Sequence, residues 1–243
     1  GSGAGLSESA YRIHRAATPP TLDAVWDDPA WANAEVARIT YFHEGPEASA
    51  HRPATAVRVL YDDDNLYLQF EVHDRYVRVV KHGHHAMVCR DSCVEFFFAP
   101  MPREQAAAVG AAYFNLETNA GGHQLMYRCK NQSEIEVYIP EEIDYEPVPD
   151  LWMDRIAVWT SLPSRLEPEI TEPMIWRAAM ALPLALVRKV HGPIDIHPGA
   201  EWSGNFYKCG DETSHPHWAS WRPIQSEPFR FHDSSSFGRL VFT

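Results

Sequence analysis

The sequence predicts an all-β fold, a β-sandwich of two antiparallel sheets with a few short helices. Apolar and polar residues alternate with a period of two, as in the stretch 66–72, where Leu66, Leu68 and Phe70 share one face. Turn-forming residues separate many short candidate strands, and 19 prolines mark the longer loops. This pattern is typical of antiparallel sheets packed in two layers.

The strands are placed by this alternation and by the turns between them. Ala56–Tyr61 and Leu66–Val72 form a predicted hairpin, because the intervening Asp62–Asn65 consists of turn-favouring residues. The other predicted strands are Cys93–Phe98, Ala112–Thr118, Gln124–Cys129, Glu134–Ile139, Arg155–Thr160, Ile175–Leu182, Gly204–Cys209 and Arg239–Phe242.

Helical signals are short, and one domain is expected. Asp28 can cap a helical turn that starts with Pro29, which predicts a turn over Asp28–Ala32. Two more short helices are predicted at Arg103–Val109 and Leu184–Lys189. Residues 1–10 are expected to be a cloning remnant or linker, and 11–243 a single domain, because 243 residues that are 45% hydrophobic can bury one sizeable core.

Net charge argues against two classes of partner, and the cysteine content argues against disulfides. The net charge of −12 would repel phosphate backbones and anionic lipid, so neither nucleic acid nor a membrane is an expected partner. The four cysteines are predicted to be buried free thiols, since they are too few and too scattered for a disulfide framework. Cys89 and Cys93, if in one strand, would lie about 13 Å apart and could not form a bridge.

The last quarter of the chain combines flat rings with hydrogen-bonding groups, which suits a sugar ligand. A pyranose has an apolar face that packs on an indole and a rim of hydroxyls that need donors and acceptors. The residues of this kind within Glu201–Thr243 are Trp202, Asn205, Phe206, Tyr207, Lys208, His215, His217, Trp218, Trp221 and Phe231.

Glu95 interrupts an apolar strand with a carboxylate. Strand alternation turns Val94 and Phe96 to the core and puts Glu95 on the other face, which is partly apolar. A carboxylate there needs a partner. Two hypotheses stay open, namely an internal ion pair with Arg128 or Arg177, and a role as acceptor for a ligand hydroxyl.

Two further strands have one polar face. The same alternation places Asn205 and Tyr207 on one face of their strand. On another strand it places four residues on one face, namely Tyr113, Asn115, Glu117 and Asn119. Ordinary surface polarity explains either strand alone. Their combination with Trp221 favours sugar binding.

Metal and enzyme hypotheses have weaker support. Zinc needs three or four converging ligands, and nothing in the sequence joins the loop of His82, His84 and His85 to His215 and His217. The turn Asp62–Asp64 could hold a structural calcium but lacks the spacing of an EF-type loop. Hydrolysis would require two carboxylates beside a groove, and Glu95 with Glu117 is the candidate pair.

Several motifs in fixed order resemble carbohydrate-binding modules of family 9 and their DOMON-like relatives. They begin with Leu22-Asp23-Ala24 and Pro29-Ala30-Trp31, continue through the hairpin and Asp91–Phe97, and end with Trp176–Leu186, Asn205–Tyr207 and His232–Leu240. The resemblance covers nearly the whole chain. Each motif is weak by itself, whereas their shared order is specific.

The resemblance implies a β-sandwich that holds sugar between two tryptophans. Trp221 is similar in position to the C-terminal tryptophan of the family and Glu95 to its acidic acceptor, while Asn115 and Asn205 occupy strand positions of polar contacts. The other tryptophan would lie near Cys89, where this chain has none. The open alternatives are substitution by Tyr76, His84 or His85, and a retuned or lost site.

The predicted function is therefore non-catalytic binding of a glycan end or short oligosaccharide, without a required cofactor. The predicted ligand-binding residues are Trp221, Glu95, Asn115, Asn205, Tyr207, His84, His85 and Arg90. The protein could be a module of, or partner to, a glycoside hydrolase, and the resemblance favours a secreted or periplasmic location. The alternatives are a glycan-active enzyme using Glu95 and Glu117, and a haem- or metal-binding DOMON-like domain.

Overall fold

The computed structural model describes residues 10–23, 25–132 and 145–243. The helices are α1 (Arg103–Ala106), α2 (Asp150–Met153) and α3 (Leu184–His191), with 3-10 turns at Pro29–Trp31, Val88–Arg90 and Ser234–Ser236. The strands are β1 (Tyr11–Arg15), β2 (Ala37–Ile39), β3 (Tyr41–Phe42), β4 (Ala54–Tyr61), β5 (Asn65–Asp74), β6 (Val77–Val79), β7 (Cys93–Ala99), β8 (Ala112–Asn119), β9 (Gln124–Leu125), β10 (Tyr127–Lys130), β11 (Tyr145–Pro147), β12 (Ala157–Thr160), β13 (Leu166–Ile170), β14 (Met174–Pro183), β15 (Glu201–Cys209), β16 (Trp218–Ser220) and β17 (Gly238–Phe242).

The strands form two curled layers, as the sequence predicts for a β-sandwich. The first layer has the order β11-β10-β8-β7-β15-β17, and the second has the order β4-β5-β14-β12. Strand β1 joins them because it pairs with β17 on one side and β4 on the other. Pairing within each layer is antiparallel, as predicted, whereas both pairings of the joining strand β1 are parallel.

The core lies between the layers and follows the strand alternation. Val94, Phe96 and Phe98 of β7 are at most 1% exposed and belong to the core, where the Phe96 ring stacks on Phe206 of β15. Burial of each such side chain contributes about 1.5–3 kcal/mol. Because neighbouring residues of a strand point to opposite faces, this packing places Cys93, Glu95 and Phe97 on the outer face of the first layer.

Most predicted elements are present with shifted ends. The hairpin is β4 and β5, and its last pair joins Tyr61 to Leu66. Asp28 caps the first 3-10 turn through a bond from the Ala30 N–H to Oδ1, at 2.9 Å. The predicted strand Gln124–Cys129 is divided at Met126 into β9 and β10. The predicted strand at 134–139 lies outside the described residues, as do residues 1–9 of the predicted linker.

A polar network fixes the two layers to each other. Asp74 of β5 accepts a bond from Trp176 Nε1 at 3.0 Å and lies 3.3 Å from Lys208 Nζ of β15. His51 Nε2 contacts the other carboxylate oxygen at 2.7 Å, and Lys208 donates to His217 Nε2 at 2.7 Å. Burial and Lys208 lower the pKa of His217 to about 3, so this imidazole is neutral and can accept.

Asp74→Asn is expected to cost about 3–5 kcal/mol of unfolding free energy at pH 7, because it leaves the buried Lys208 charge unpaired. Burial alone would raise the pKa of Asp74, but Lys208 and the bonds from His51 and Trp176 hold it well below its usual range. The ionised carboxylate therefore stabilises the protein above about pH 4, and this contribution is lost as the pH falls further.

Urea unfolding of wild type and variant between pH 7 and pH 2 measures this effect. The difference between the two proteins should narrow below about pH 4. Glu71→Gln is the control, since the Glu71 pair with Arg177 is partly solvent-exposed and is worth about 1 kcal/mol or less. A constant difference across the pH range would contradict the role of Asp74.

Candidate functional site

The outer face of the first layer carries a pocket of about 500 Å³, a size common for small-molecule sites. Strands β7, β8 and β15 form its floor, and the segment 229–232 with β10 and β16 forms its walls. The floor side chains are Glu95, Phe97, Asn115, Glu117 and Cys209. The wall is aromatic, with Tyr127, Tyr145, Trp218, Phe229 and Phe231.

Strand register brings the polar floor residues together. Glu95 of β7 lies directly opposite Glu117 of β8, and Phe97 lies opposite Asn115. Asn115 Nδ2 donates to Glu117 Oε2 at 2.9 Å, while Asn115 Oδ1 accepts the N–H of Tyr127 at 2.8 Å. The amide is thus held by one backbone bond, and the two carboxyls project side by side from the same floor.

The two floor carboxyls are buried without a basic partner. Glu95 is 2% and Glu117 5% exposed, and neither forms an ion pair with Lys or Arg in the described ranges. Burial raises the pKa of Glu95 to about 8, and burial with the neighbouring Glu95 raises that of Glu117 well above its usual value. Near neutral pH such carboxyls can both donate and accept hydrogen bonds.

The first hypothesis for Glu95, an ion pair with Arg128 or Arg177, is therefore wrong. Arg177 pairs with Glu71 at 2.9 Å on the second layer. The hydrogen bonds of Glu95 come from thiols, with Cys209 Sγ 3.1 Å and Cys93 Sγ 3.7 Å from Oε2.

The aromatic wall is held from behind by other side chains. Trp218 is half-buried, and its Nε1 donates to Asp211 Oδ1 at 2.8 Å, which fixes the edge of the indole. Phe231 stacks on Tyr207 with ring centroids 4.1 Å apart. Burial raises the pKa of Asp211 to about 6. The wall thus offers rings whose orientation is set before a ligand enters.

The prediction that Trp221 forms the stacking platform is wrong. Trp221 is 8% exposed, belongs to the core between the layers and does not line the pocket. Its ring packs edge-on against Phe206 at 5.5 Å, and the Arg222 guanidinium covers it at 4.1 Å. A Cβ at Gly238 would approach the Trp221 ring to 2.6 Å, so this side is closed as well. Trp218, three residues earlier, lines the pocket instead.

Three more predicted contacts support the pocket without lining it. Asn205 is fully buried, and its amide both accepts from the Arg222 N–H at 2.9 Å and donates to the Arg222 carbonyl at 3.1 Å. Tyr207 lies beneath Phe231 and donates to its carbonyl at 3.2 Å. Arg90 is exposed and lies 3.6 Å from the Glu212 carboxylate. The geometry therefore does not favour direct ligand contact by these three residues.

The histidines that were alternatives for a second ring also lie outside the pocket. His84 is exposed and contacts Asp154 at 2.6 Å. His85 donates to the Val148 carbonyl at 2.8 Å and stacks behind Tyr127 at 5.3 Å, so it positions a wall residue.

Tyr76, the third alternative, stacks on His215 at 3.5 Å and does not line the pocket either. The place expected for the second tryptophan is occupied by Cys89, which does line the pocket. Cys89 belongs to a 3-10 turn rather than to a strand continuous with Cys93, which corrects the predicted extended spacing.

Possible metal ligands fall into two places. In the acidic turn, Asp62 accepts from the backbone of Asp64 and Asn65 at 2.8 and 2.9 Å, and Asp63 pairs with Arg15 at 2.7 Å. These bonds account for the turn, and the structural calcium stays a prediction. The second set consists of Cys93, Glu95 and Cys209, of which Glu95 and Cys209 line the pocket floor. All four cysteines are free thiols, and all but the half-buried Cys89 are buried.

The sequence missed much of the wall. Trp218 and Phe231 belong to the aromatic-rich C-terminal stretch, but Tyr127, Phe229 and His232 were not predicted as site residues. Strand β16 has three residues, too few to show an alternation that would separate Trp218 from Trp221. Tyr127 could have been found from its position on β10, the strand that pairs with the Asn115 strand β8.

The described residues form a β-sandwich with a pocket on the outer face of one sheet. The sequence profile of Carbohydrate-binding family 9 matches residues 34–242. The chain belongs to this family. None of the described helices is long and apolar enough to cross a membrane.

Solved structures show the same fold. A candidate carbohydrate-binding protein from Bacteroides uniformis ATCC 8492 is 23% identical with a TM-score of 0.77, covering 96% of this chain and 99% of its own. The family 9 module of Caldicellulosiruptor kristjanssonii is similar in its glucose complex (13% identity, TM-score 0.59, coverage 96% and 95%) and its cellotriose complex (14%, 0.60, 96% and 93%). A comparison with curated proteins finds no match.

Proposed function

We propose that the pocket binds the end of a glycan, with Trp218 as the stacking surface and Glu95, Glu117 and Asn115 as hydroxyl contacts. One observation carries this proposal: two buried carboxyls and an amide face a pocket whose wall is aromatic. A sugar needs both kinds of surface at once, since its C–H face packs on rings and its hydroxyls need donors and acceptors.

Family membership supports carbohydrate as the ligand class. The related modules bind glucose and cellotriose, so these are the first sugars to test here. A disaccharide of about 23 non-hydrogen atoms at roughly 0.3 kcal/mol per atom would bind with about 7 kcal/mol, or a Kd on the order of 10 µM.

Glu117→Gln is expected to weaken sugar binding by about 10- to 100-fold, because an amide NH₂ replaces one carboxyl oxygen and leaves a buried hydrogen-bonding group without its partner, at a cost of about 1–3 kcal/mol. Calorimetric titration with glucose and cellotriose, after a glycan-array screen for better ligands, measures the change. Glu212→Gln is the control, since Glu212 is exposed and does not line the pocket. Equal affinity of Glu117→Gln and wild type would place the sugar elsewhere.

The enzymatic and haem alternatives are tested on the same preparation. Incubation with oligosaccharides followed by a reducing-end assay detects hydrolysis by Glu95 and Glu117, and a binding protein releases no new ends. An absorbance spectrum of the purified protein detects haem. Either signal would replace the binding proposal with the corresponding activity.

A further inference from the structure

At the floor of the pocket, Glu95 and Cys209 line the cavity, and the buried Cys93 lies beside them. The sugar proposal does not use these two thiols and this carboxylate as a set. Cys93 of β7 and Cys209 of β15 are direct cross-strand partners, and Glu95 lies two residues along β7 on the same face. One ligand atom from each residue, the two Sγ atoms and a carboxylate oxygen, lies within 4.8 Å of the other two.

Their spacing matches the edges of a metal coordination tetrahedron. A zinc ion with bonds of about 2.3 Å to sulfur and about 2.1 Å to oxygen places its ligands about 3.6 Å (S···O) and about 3.8 Å (S···S) apart. The carboxylate Oε2 of Glu95 lies 3.1 Å from Cys209 Sγ and 3.7 Å from Cys93 Sγ. The two S···O distances lie on either side of the expected value, and the two Sγ atoms lie within 4.8 Å of each other, so small side-chain rotations can bring the three atoms around one ion.

The surroundings favour a cation over an unoccupied cluster. The three residues are at most 2% exposed and stand on paired strands, so their positions are held by the sheet. Glu117 and Asp211 add further carboxyl groups to the same pocket, and Glu95 has no ion pair with a basic side chain in the described ranges. A carboxyl buried in this way is costly to ionise without compensation, and a divalent ion supplies that compensation.

We propose that Cys93, Cys209 and Glu95 bind one thiophilic divalent cation, Zn²⁺, whose fourth position opens into the pocket. Three protein ligands with an open fourth position are the pattern of zinc sites that contact exogenous ligands. As the bonds to zinc form, the protons of both thiols and of the Glu95 carboxyl are released to solvent, so all three residues bind in their ionised forms. A water molecule or a ligand oxygen in the pocket would complete the coordination.

Metal titration of the reduced, chelator-treated protein tests this site. Zn²⁺ competition against a chromophoric chelator is expected to show one tightly bound ion per chain. Cd²⁺ or Co²⁺ in place of Zn²⁺ should give the ultraviolet thiolate-to-metal charge-transfer band of a two-sulfur site. Absence of both saturable Zn²⁺ binding and this band in the wild-type protein would overturn the proposal, and this result needs no variant.

Cys93→Ser and Cys209→Ser each remove one sulfur ligand with little change of shape. We expect each to weaken Zn²⁺ binding by more than the roughly 10- to 100-fold typical of losing an outer-shell partner, and to abolish the two-sulfur spectrum. Cys129→Ser is the matched control, because Cys129 is a buried thiol on β10 outside the cluster. Wild-type affinity in both ligand variants, or equal loss in the control, would contradict the assignment.

A separate sugar titration keeps this proposal distinct from the proposed function. The wild-type protein is therefore titrated with glucose and cellotriose both after chelator treatment and after loading with Zn²⁺. Sugar binding without Zn²⁺ binding in the wild type would reject the metal site alone, and Zn²⁺ binding without sugar binding would reject the sugar proposal alone.

Discussion

Trp218→Ala is expected to weaken glucose and cellotriose binding by roughly 10- to 100-fold while the protein stays folded. The indole lines the pocket and is held by its bond to Asp211, so it offers a fixed apolar face for the C–H groups of a sugar. Losing that stacking contact removes about 1–3 kcal/mol of binding free energy, the sum of apolar burial and the specific ring contact. Because Trp218 is only half-buried, its replacement by Ala should lower the free energy of unfolding less than the loss of a fully buried tryptophan would.

Calorimetry with the same two sugars measures this change. Trp218→Phe keeps a flat ring and should retain part of the affinity, which separates stacking from the bond to Asp211. Circular dichroism checks that the variants are folded. Unaltered binding by Trp218→Ala would remove Trp218 from the sugar site.

Trp221→Ala is expected to lower the free energy of unfolding by about 3–5 kcal/mol, the cost typical of deleting a buried large aromatic side chain. The Trp221 ring fills space between Tyr11, Phe206 and the Arg222 side chain, so its removal leaves a cavity next to β1, the strand that joins the two layers. The packing that is lost lies at the junction of the two layers.

Urea unfolding measures this cost, and Trp221→Phe, which leaves a smaller void, should lose less. At temperatures where Trp221→Ala remains folded, its sugar affinity should be close to that of the wild type. A variant of wild-type stability that no longer binds sugar would return Trp221 to the site and contradict its placement in the core.

Long strands made part of the site predictable from sequence. Alternation over β7 and β8 places Glu95, Asn115 and Glu117 on one face, and the structure has all three on the pocket floor. A period of two is reliable there because each strand has seven or more residues and its other face supplies the core.

Short strands and covering segments set the limit of prediction. Strand β16 has only three residues, and Trp221 directly follows it. A strand this short does not reveal from sequence that Trp218 faces outward and Trp221 faces the core. Asn205 and Tyr207 were placed on the correct face, but the segment after β16 covers them, and alternation does not show what lies over a face. The Cys93–Cys209 pair depends on the register of two strands distant in sequence, which only the fold provides.

The sheet beneath the pocket has a consequence for how the protein would meet a polymer. If the pocket binds sugar as proposed, a recess of about 500 Å³ backed by continuous strands would admit a terminal sugar unit more readily than the middle of a long polysaccharide chain. Retention on a substrate would then scale with the number of its termini rather than with its mass. Partial digestion of an insoluble polysaccharide would create new attachment points and draw more of the protein to the regions already being degraded.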